Sequence, residues 1–341
     1  MGLFGSSGIV GLEMDTGVIR AVEMQGKNGS AKVTAAGQVT IPDSAVVDGV
    51  VQEIDTVSAA LVRLWADAKF GNRHVVLGMF NQGLIMRLIT FPKVPREKLE
   101  QALRLQAGEY FPIPLSQMVM DFSVVGEVEQ EDGMFYEVLL VAAKKLQLEQ
   151  SMEVLRKSKL TPKVVDAAPL AMMRTVQKKK LEGTAVLVDL SMGMSSVLLS
   201  IDGKPRFARV MPVAFKQYWG NIAATMSQDE ADTLAAVGME AGTGDEKFRR
   251  WGASVAKEIR ASVSYYVKQD NLSDVDRVIL GGRGARVTGL PELLQGELGV
   301  PVELVRPLDN IKPSGKQKSE RLLVGPEFGA CVGLALRGLD V

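Results

Sequence analysis

The chain of 341 residues holds one cysteine, Cys331, and one histidine, His74. A single thiol excludes an internal disulfide and suits a reducing compartment. A single imidazole excludes a metal centre built on several histidines, and it leaves only one place for a Ser/His/Asp set. Charge of one sign is not in excess either, because 40 basic residues face 40 acidic ones. Without a net field or a long basic run, neither nucleic acid nor an anionic bilayer is held by charge. No apolar run reaches the roughly 18 residues that a membrane-crossing helix needs. The first basic residue is Arg20, so the start lacks the charged lead of a secretory signal. These absences point to a cytoplasmic globular protein. Its 46% apolar content suffices for a large core or two lobes.

What is present is a repeated pattern. "VGLEMDTGVIRAVEM" at 10–24 reads as apolar strand, acids, tight turn, second strand, with strands expected at 8–14, 18–25 and 32–41. Residues 185–207, "AVLVDLSMGMSSVLLSIDGKPRF", repeat that outline about 175 residues later, each copy opening one half of the chain. Between them, apolar spacing predicts helices over 54–69, with Asp55 or Thr56 as cap, and over 94–111, 146–158 and 168–180. Strands "GLIMRLITF", "MVMDFSVVG" and "MFYEVLLVAA" flank these, the last two around an acidic turn "EVEQEDG". In the second half, helices are expected at 214–226, 228–237 and 246–269. The strand "RVILGG" and a closing helix from 326 to 337 follow.

Two acid-bearing hairpins in duplicated halves, then a strand ending in Gly281-Gly282, resemble the actin-like ATPase fold. In that fold the hairpins hold the phosphates and the glycine turn holds the adenosine end. The resemblance thus places Glu13, Asp15, Thr16, Asp189, Ser191, Gly281, Gly282 and Gly284 at a nucleotide site. Over nearly its whole length the chain is more similar to the PilM family, the cytoplasmic actin-like component of type IV pilus assembly. "AVVDGVVQEIDTV" at 45–57, "LEQALRLQAGEYFPIPLSQMVMDFSVVGE" at 99–127, "KLTPKVVDAAPLAMMR" at 159–174 and "AKEIRASVSYYVKQ" at 256–269 carry the resemblance. FtsA and the type II secretion protein GspL share the broad fold, and the 99–127 segment separates this chain from them.

The resemblance implies an α/β chain of two duplicated lobes with a small inserted α+β subdomain. The first lobe is expected at 1–90 plus 160–184, the insert at 91–159, and the second lobe at 185–325. The closing helix, 326–341, is expected to return to the first lobe. The resemblance also implies a partner, the N-terminal cytoplasmic tail of a PilN-like inner-membrane protein. That tail would rest in a cleft near 82–92 and 110–115, with Phe111 and Ile113 as anchors. Both residues read more readily as core of the insert. The pilus motor ATPases are implied as further contacts, and the membrane is reached only through the partner.

The departures bear on mechanism. ATP-binding members read roughly D-I-G-x-S/T in the first hairpin, where this chain has Glu13, Met14, Asp15 and Thr16. Ser191 stands where a glycine is expected, "RVMPVAFKQ" at 209–217 lacks the family's Gly-Gly, and "EADTLA" at 230–235 brings Asp232 and Ala235 in place of a longer acid and a lysine. A carboxylate about 4 Å from a phosphate oxygen costs roughly 4 kcal/mol at an effective dielectric near 20. That corresponds to about three decades of affinity. ATP with magnesium is therefore expected to bind weakly or not at all, although magnesium bridging the acids would offset part of the cost. No catalytic residue and no resident metal is assigned. The rival readings are an active ATP-hydrolysing actin-like protein and an FtsA- or GspL-like scaffold of another secretion system.

Overall fold

The computed structural model describes residues 8–27, 30–218, 246–269, 274–311 and 324–340. In chain order it begins with strands β1 (Ile9–Asp15), β2 (Val18–Gln25) and β3 (Lys32–Thr40), followed by the short hairpin β4 (Val46–Val47) and β5 (Val50–Val51). Helix α1 (Ile54–Asp67), β6 (His74–Met79), β7 (Ile85–Pro92), α2 (Arg96–Tyr110), β8 (Met118–Gln130), β9 (Gly133–Lys144) and α3 (Lys145–Lys157) come next. They lead into β10 (Thr161–Ala167) and α4 (Ala168–Met173). The second half contains β11 (Thr184–Leu190), β12 (Ser195–Ile201), β13 (Lys204–Met211), α5 (Glu246–Gln269), β14 (Arg277–Gly281), α6 (Leu290–Leu298), β15 (Val302–Leu304) and α7 (Gly329–Leu339).

The duplication seen in the sequence is a duplication of topology. One sheet runs β3-β2-β1-β6-β10 and the other β13-β12-β11-β14-β15. In each, a hairpin and a third strand are antiparallel, and two further strands add in parallel to the first strand. The sequence reading stopped its second copy after two strands, and β13 supplies the third. Central strands are covered on both faces, which is why β1 and β11 read as near-continuous apolar runs. Val10, Leu12 and Met14 of β1 pack with Leu61 and Leu64 of α1. Ile9, on the other face, joins Cys331, Leu334 and Ala335 of α7. Strand and helix meet there backbone to backbone. A Cβ on Gly11 would collide with the Cys331 carbonyl oxygen, and one on Gly333 with that of Ala171.

Helix α1 starts at Ile54, ahead of both expected caps, Asp55 and Thr56. Glu53 holds that place: its carbonyl accepts from Val57 N–H and its side chain accepts from Ser44 and Thr56. The Gln52 and Glu53 amides both donate to the Ala45 carbonyl, so the β4–β5 hairpin sets the entry. Helix α4 ends at Met173, short of the expected 180, where the Thr175 hydroxyl donates to the Met172 carbonyl. The acidic stretch 127–129, read as a turn, continues β8. The hairpin turns at Glu131-Asp132, and Lys93 pairs with Glu127.

The insert is a three-stranded antiparallel sheet, β7-β9-β8, covered by α2. Its sheet opens at Ile85, earlier than the expected boundary at 91. Helix α3, counted with the insert from its sequence, instead packs Val154 and Leu155 into the first-lobe core beside α1. The insert therefore spans the strands and α2, and α3 returns the chain to the lobe. The 3-10 turn at Pro326–Phe328 precedes α7. Helix α7 lies against β1, β2, β6 and α4.

Candidate functional site: a buried charge cluster between the lobes

The first strand of each lobe ends at the seam between them. Glu13 and Asp15, two residues apart on β1, share a face with Ile9 and Gly11, the face that α7 covers. Across the β1–β2 pair Glu13 lies opposite Arg20, and Arg20 Nη1 sits 3.7 Å from Glu13 Oε2. Arg20 is 1% exposed. Its Nε, Nη1 and Nη2 have no hydrogen-bond partner among the described residues. From the other lobe Asp189 accepts a 2.7 Å hydrogen bond from the Ser191 hydroxyl. Arg283, just after β14, lies within electrostatic reach of Arg20 and Asp15.

Burial dominates the electrostatics. It pushes Glu13 up to about 8, with nearby Asp189 adding and Arg20 opposing. It pushes Asp189 up to about 6 against the Ser191 hydrogen bond, and it lowers Arg283 to about 10. Asp15 is also raised by burial, while Arg20 and the backbone amides of Met192, Thr16 and Gly193 pull the other way. Glu13 is the carboxyl raised furthest among those with stated values. The Cys331 thiol, 3.9 Å from Glu13 Oε2, is pushed up by the same burial and is not a thiolate at neutral pH.

Asp15 crosses the seam. Its Oδ2 accepts from the Met192 amide at 2.9 Å, and its Oδ1 accepts from the Gly193 amide at 3.3 Å and from its own neighbour, the Thr16 amide, at 2.7 Å. Met192 and Gly193 form the turn of the second hairpin, 177 and 178 residues away in sequence. Beside it, a Cβ on Gly193 would run into the Thr16 hydroxyl. Thr16 Oγ1 accepts from the Asp48 amide at 3.2 Å, and the Asp48 carboxylate pairs with Lys216 of the second lobe at 2.9 Å. The 215–216 amides donate to the Ser191 and Met192 carbonyls, so this glycine-free segment braces the turn.

The glycine turn after β14 serves the protein's own packing. A Cβ on Gly281 would meet Met172, and one on Gly282, whose φ is +78°, would meet Asp189 and the Leu190 backbone. Gly284 packs against Leu190 and Phe215. The turn is further fixed by the Gly282 amide donating to Pro326 and by Arg286 pairing with buried Glu327 at 2.6 Å.

The Met192 and Gly193 amides of the second hairpin hold the Asp15 carboxylate, and the glycine turn is packed on Asp189. Sequence reasoning gathered Glu13, Asp15, Thr16, Asp189, Ser191, Gly281, Gly282 and Gly284, and the structure brings all eight to the seam. It missed the pairing of Asp15 with Met192 and Gly193, and it missed the Asp48–Lys216 bridge. Neither has a local sequence signal. Asp232 and Ala235 lie outside the described residues, as do the helix expected at 228–237 and most of that at 214–226.

The proposed anchors sit elsewhere. Phe111 is 4% exposed and packs with Leu99, Leu103 and Tyr136 inside the insert, with Ile113 against the same core. Around 82–92, Met86 packs into the second-lobe core and β7 lies beside β13. A groove of about 450 Å³ instead runs between β8 and β10, lined by Phe122, Leu139, Val165, Leu170, Met173 and Pro205 and by the charged Asp121, Asp166, Arg174 and Arg337. Both β8 and β10 are edge strands of their sheets.

Two lobes of identical strand order meeting at a seam of hairpin turns define the actin-like ATPase class. Solved structures agree. EutJ, an ethanolamine utilization protein from Carboxydothermus hydrogenoformans, covers 98% of this chain and 91% of its own at TM-score 0.55 and 14% identity. MreB5 of Spiroplasma citri bound to ADP covers 96% and 94% at TM-score 0.51 and 10% identity. At these identities the likeness is one of fold. The family described as type IV pilus assembly protein PilM matches residues 11–339. The chain belongs to that family. A PilM–PilN type IV pilus biogenesis complex matches at TM-score 0.82 and 26% identity, covering 98% of this chain and 99% of the solved one.

Proposed function

We propose that this chain is a cytoplasmic scaffold of type IV pilus assembly. It docks the N-terminal tail of a PilN-like bitopic membrane protein and reaches the membrane through that partner. Its nucleotide site has lapsed, and docking rather than hydrolysis links the partner to the pilus motor ATPases. The observation that carries this is the end-to-end likeness to a PilM–PilN complex. Two features support it. Among the described residues no helix is long and apolar enough to cross a membrane. The groove between two sheet edges offers an extended peptide backbone pairing plus apolar pockets.

The test is a fluorescence-anisotropy titration of a labelled PilN-like tail peptide against the wild-type chain and Val165→Arg. Val165 is 38% exposed on β10, so an arginine there leaves the core intact and fills the groove. The variant is expected to bind at least 10-fold more weakly, which is about 1.4 kcal/mol. Equal affinities remove the groove from the proposal. Phosphate release from Mg-ATP is expected to be no faster than with Asp189→Ala, and turnover above that control defeats the lapsed-site reading.

A further inference from the structure

The Asp15 carboxylate occupies a place made for an anion. Successive backbone N–H groups converging in a turn form a concavity with a fixed positive potential, the arrangement that elsewhere receives phosphate. Here the Met192 and Gly193 amides converge in that way, and what they receive is the side chain of an aspartate from the opposite lobe. The Thr16 amide completes the set, so three N–H groups point at one carboxylate. Arg20, fully buried with unpaired donors, adds a positive charge behind it.

We propose that Asp15 is the resident anion of the interlobe site, a built-in substitute for a bound phosphate that fastens the two lobes together without a ligand. Charge-assisted bonds from an aspartate to backbone amides are stronger than neutral ones, and these two, at 2.9 and 3.3 Å, join residues from different lobes. The Thr16 hydroxyl against Gly193 and the Asp48–Lys216 pair lie beside them, making one continuous fastening. In a ligand-gated member of such a fold, phosphate would supply the anion and its departure would free the lobes. Here the anion is covalently part of β1 and cannot leave. The inference deepens the reading of a lapsed nucleotide site by naming what took the ligand's place. The chemistry that would compete for the nest is that of an inorganic phosphate or pyrophosphate.

The test uses the full chain. Amide hydrogen exchange of the 191–194 segment is compared in the wild type and Asp15→Asn, which keeps the shape and removes the charge. Exchange at least 10-fold faster in the variant is expected, and equal exchange overturns the proposal. In a second arm, Asp15→Gly is melted with and without millimolar pyrophosphate. Its Tm is expected to lie several degrees below wild type and to rise with pyrophosphate, while the wild-type Tm does not move. A wild-type rise as large as that of the variant overturns the proposal, because the nest would then be reachable with Asp15 in place. Should Asp15→Gly fail to fold, the exchange arm decides alone. Turnover measured on the wild-type chain defeats the lapsed-site reading and leaves the exchange result standing. Unchanged exchange defeats the fastening whatever the turnover.

Discussion

Glu13 shows how one residue reports the state of the whole seam. Its ordinary pKa is 4.5, and burial beside Asp189 raises it to about 8 in the folded protein. Below pH 4.5 the group is protonated in both folded and unfolded chains and adds no pH dependence. Between 4.5 and about 8 the unfolded chain has released the proton and the folded one has kept it, so each step up in pH favours unfolding. Asp189 acts with the same sign from 3.8 to about 6. Stability is therefore expected to fall as pH rises through this window, by up to roughly 1.4 kcal/mol per unit from one such group. Between pH 6 and 8 Glu13 still acts after Asp189 has released its proton, and Glu13→Gln should flatten that stretch of the curve. Urea unfolding at pH 6 and pH 8 checks it: an unchanged difference between the two pH values in the variant would assign the proton elsewhere.

At the scale of elements, much was legible because the rules are local. The hairpin 10–24 announced itself through alternation and a Thr-Gly turn, and Gly17 takes the positive φ, +74°, that the turn demands. Five of the seam residues, Glu13, Asp15, Thr16, Asp189 and Ser191, were legible through the repeat of that pattern, and Gly281, Gly282 and Gly284 through the glycine turn that the fold resemblance picked out. What was not legible depended on partners distant in sequence. Nothing near Asp15 foretells that its carboxylate meets an amide 177 residues on. Nothing near Phe111 separates a groove anchor from a core residue until β9 closes over it. Helix α3 has the amphipathic pattern of any surface helix, and only tertiary packing assigns it to α1 rather than to α2. Helix α7 adds a signal that went unread, Gly333 between Cys331 and Leu334. It marks where the helix backbone touches the Ala171 carbonyl. Gly333→Ala removes a helix-weakening glycine from an exposed-chain standpoint, yet here it overpacks backbone against backbone. It is expected to destabilise by about 1–3 kcal/mol, visible as a lower midpoint in urea. A midpoint at or above wild type would mean that α7 is free to shift outward.

Across the whole molecule, among the described residues, the two lobes are joined at the seam by Asp15 and by Asp48–Lys216, and away from it by Met172 and Val176, which pack with Ala185, Leu187 and Ile279. The insert is joined to the second lobe by Met86 in its core and by the ion pair between Arg206 of β13 and Glu137 of β9. Both partners of that pair are about four-fifths buried, with side-chain exposures of 21% and 17%. The bond is made by Arg206 Nη1, and Arg206 Nε has no hydrogen-bond partner among the described residues. Pro205 and Leu139, close neighbours of the pair in sequence, line the groove, so loss of the tie is expected to reach the proposed docking surface. Removing one partner strands the other charge, which should cost about 1–3 kcal/mol in each single variant, Arg206→Met and Glu137→Leu. Removing both strands nothing, so the double variant should recover more than half of the summed loss. The groove gives the second readout. Each single variant frees the insert to move against the second lobe and should weaken binding of the tail peptide, although neither side chain lines the groove. A stability cycle with no coupling would reduce the pair to a surface contact. Coupling without any change in tail affinity would show that the groove's shape is held by the first lobe and the insert alone.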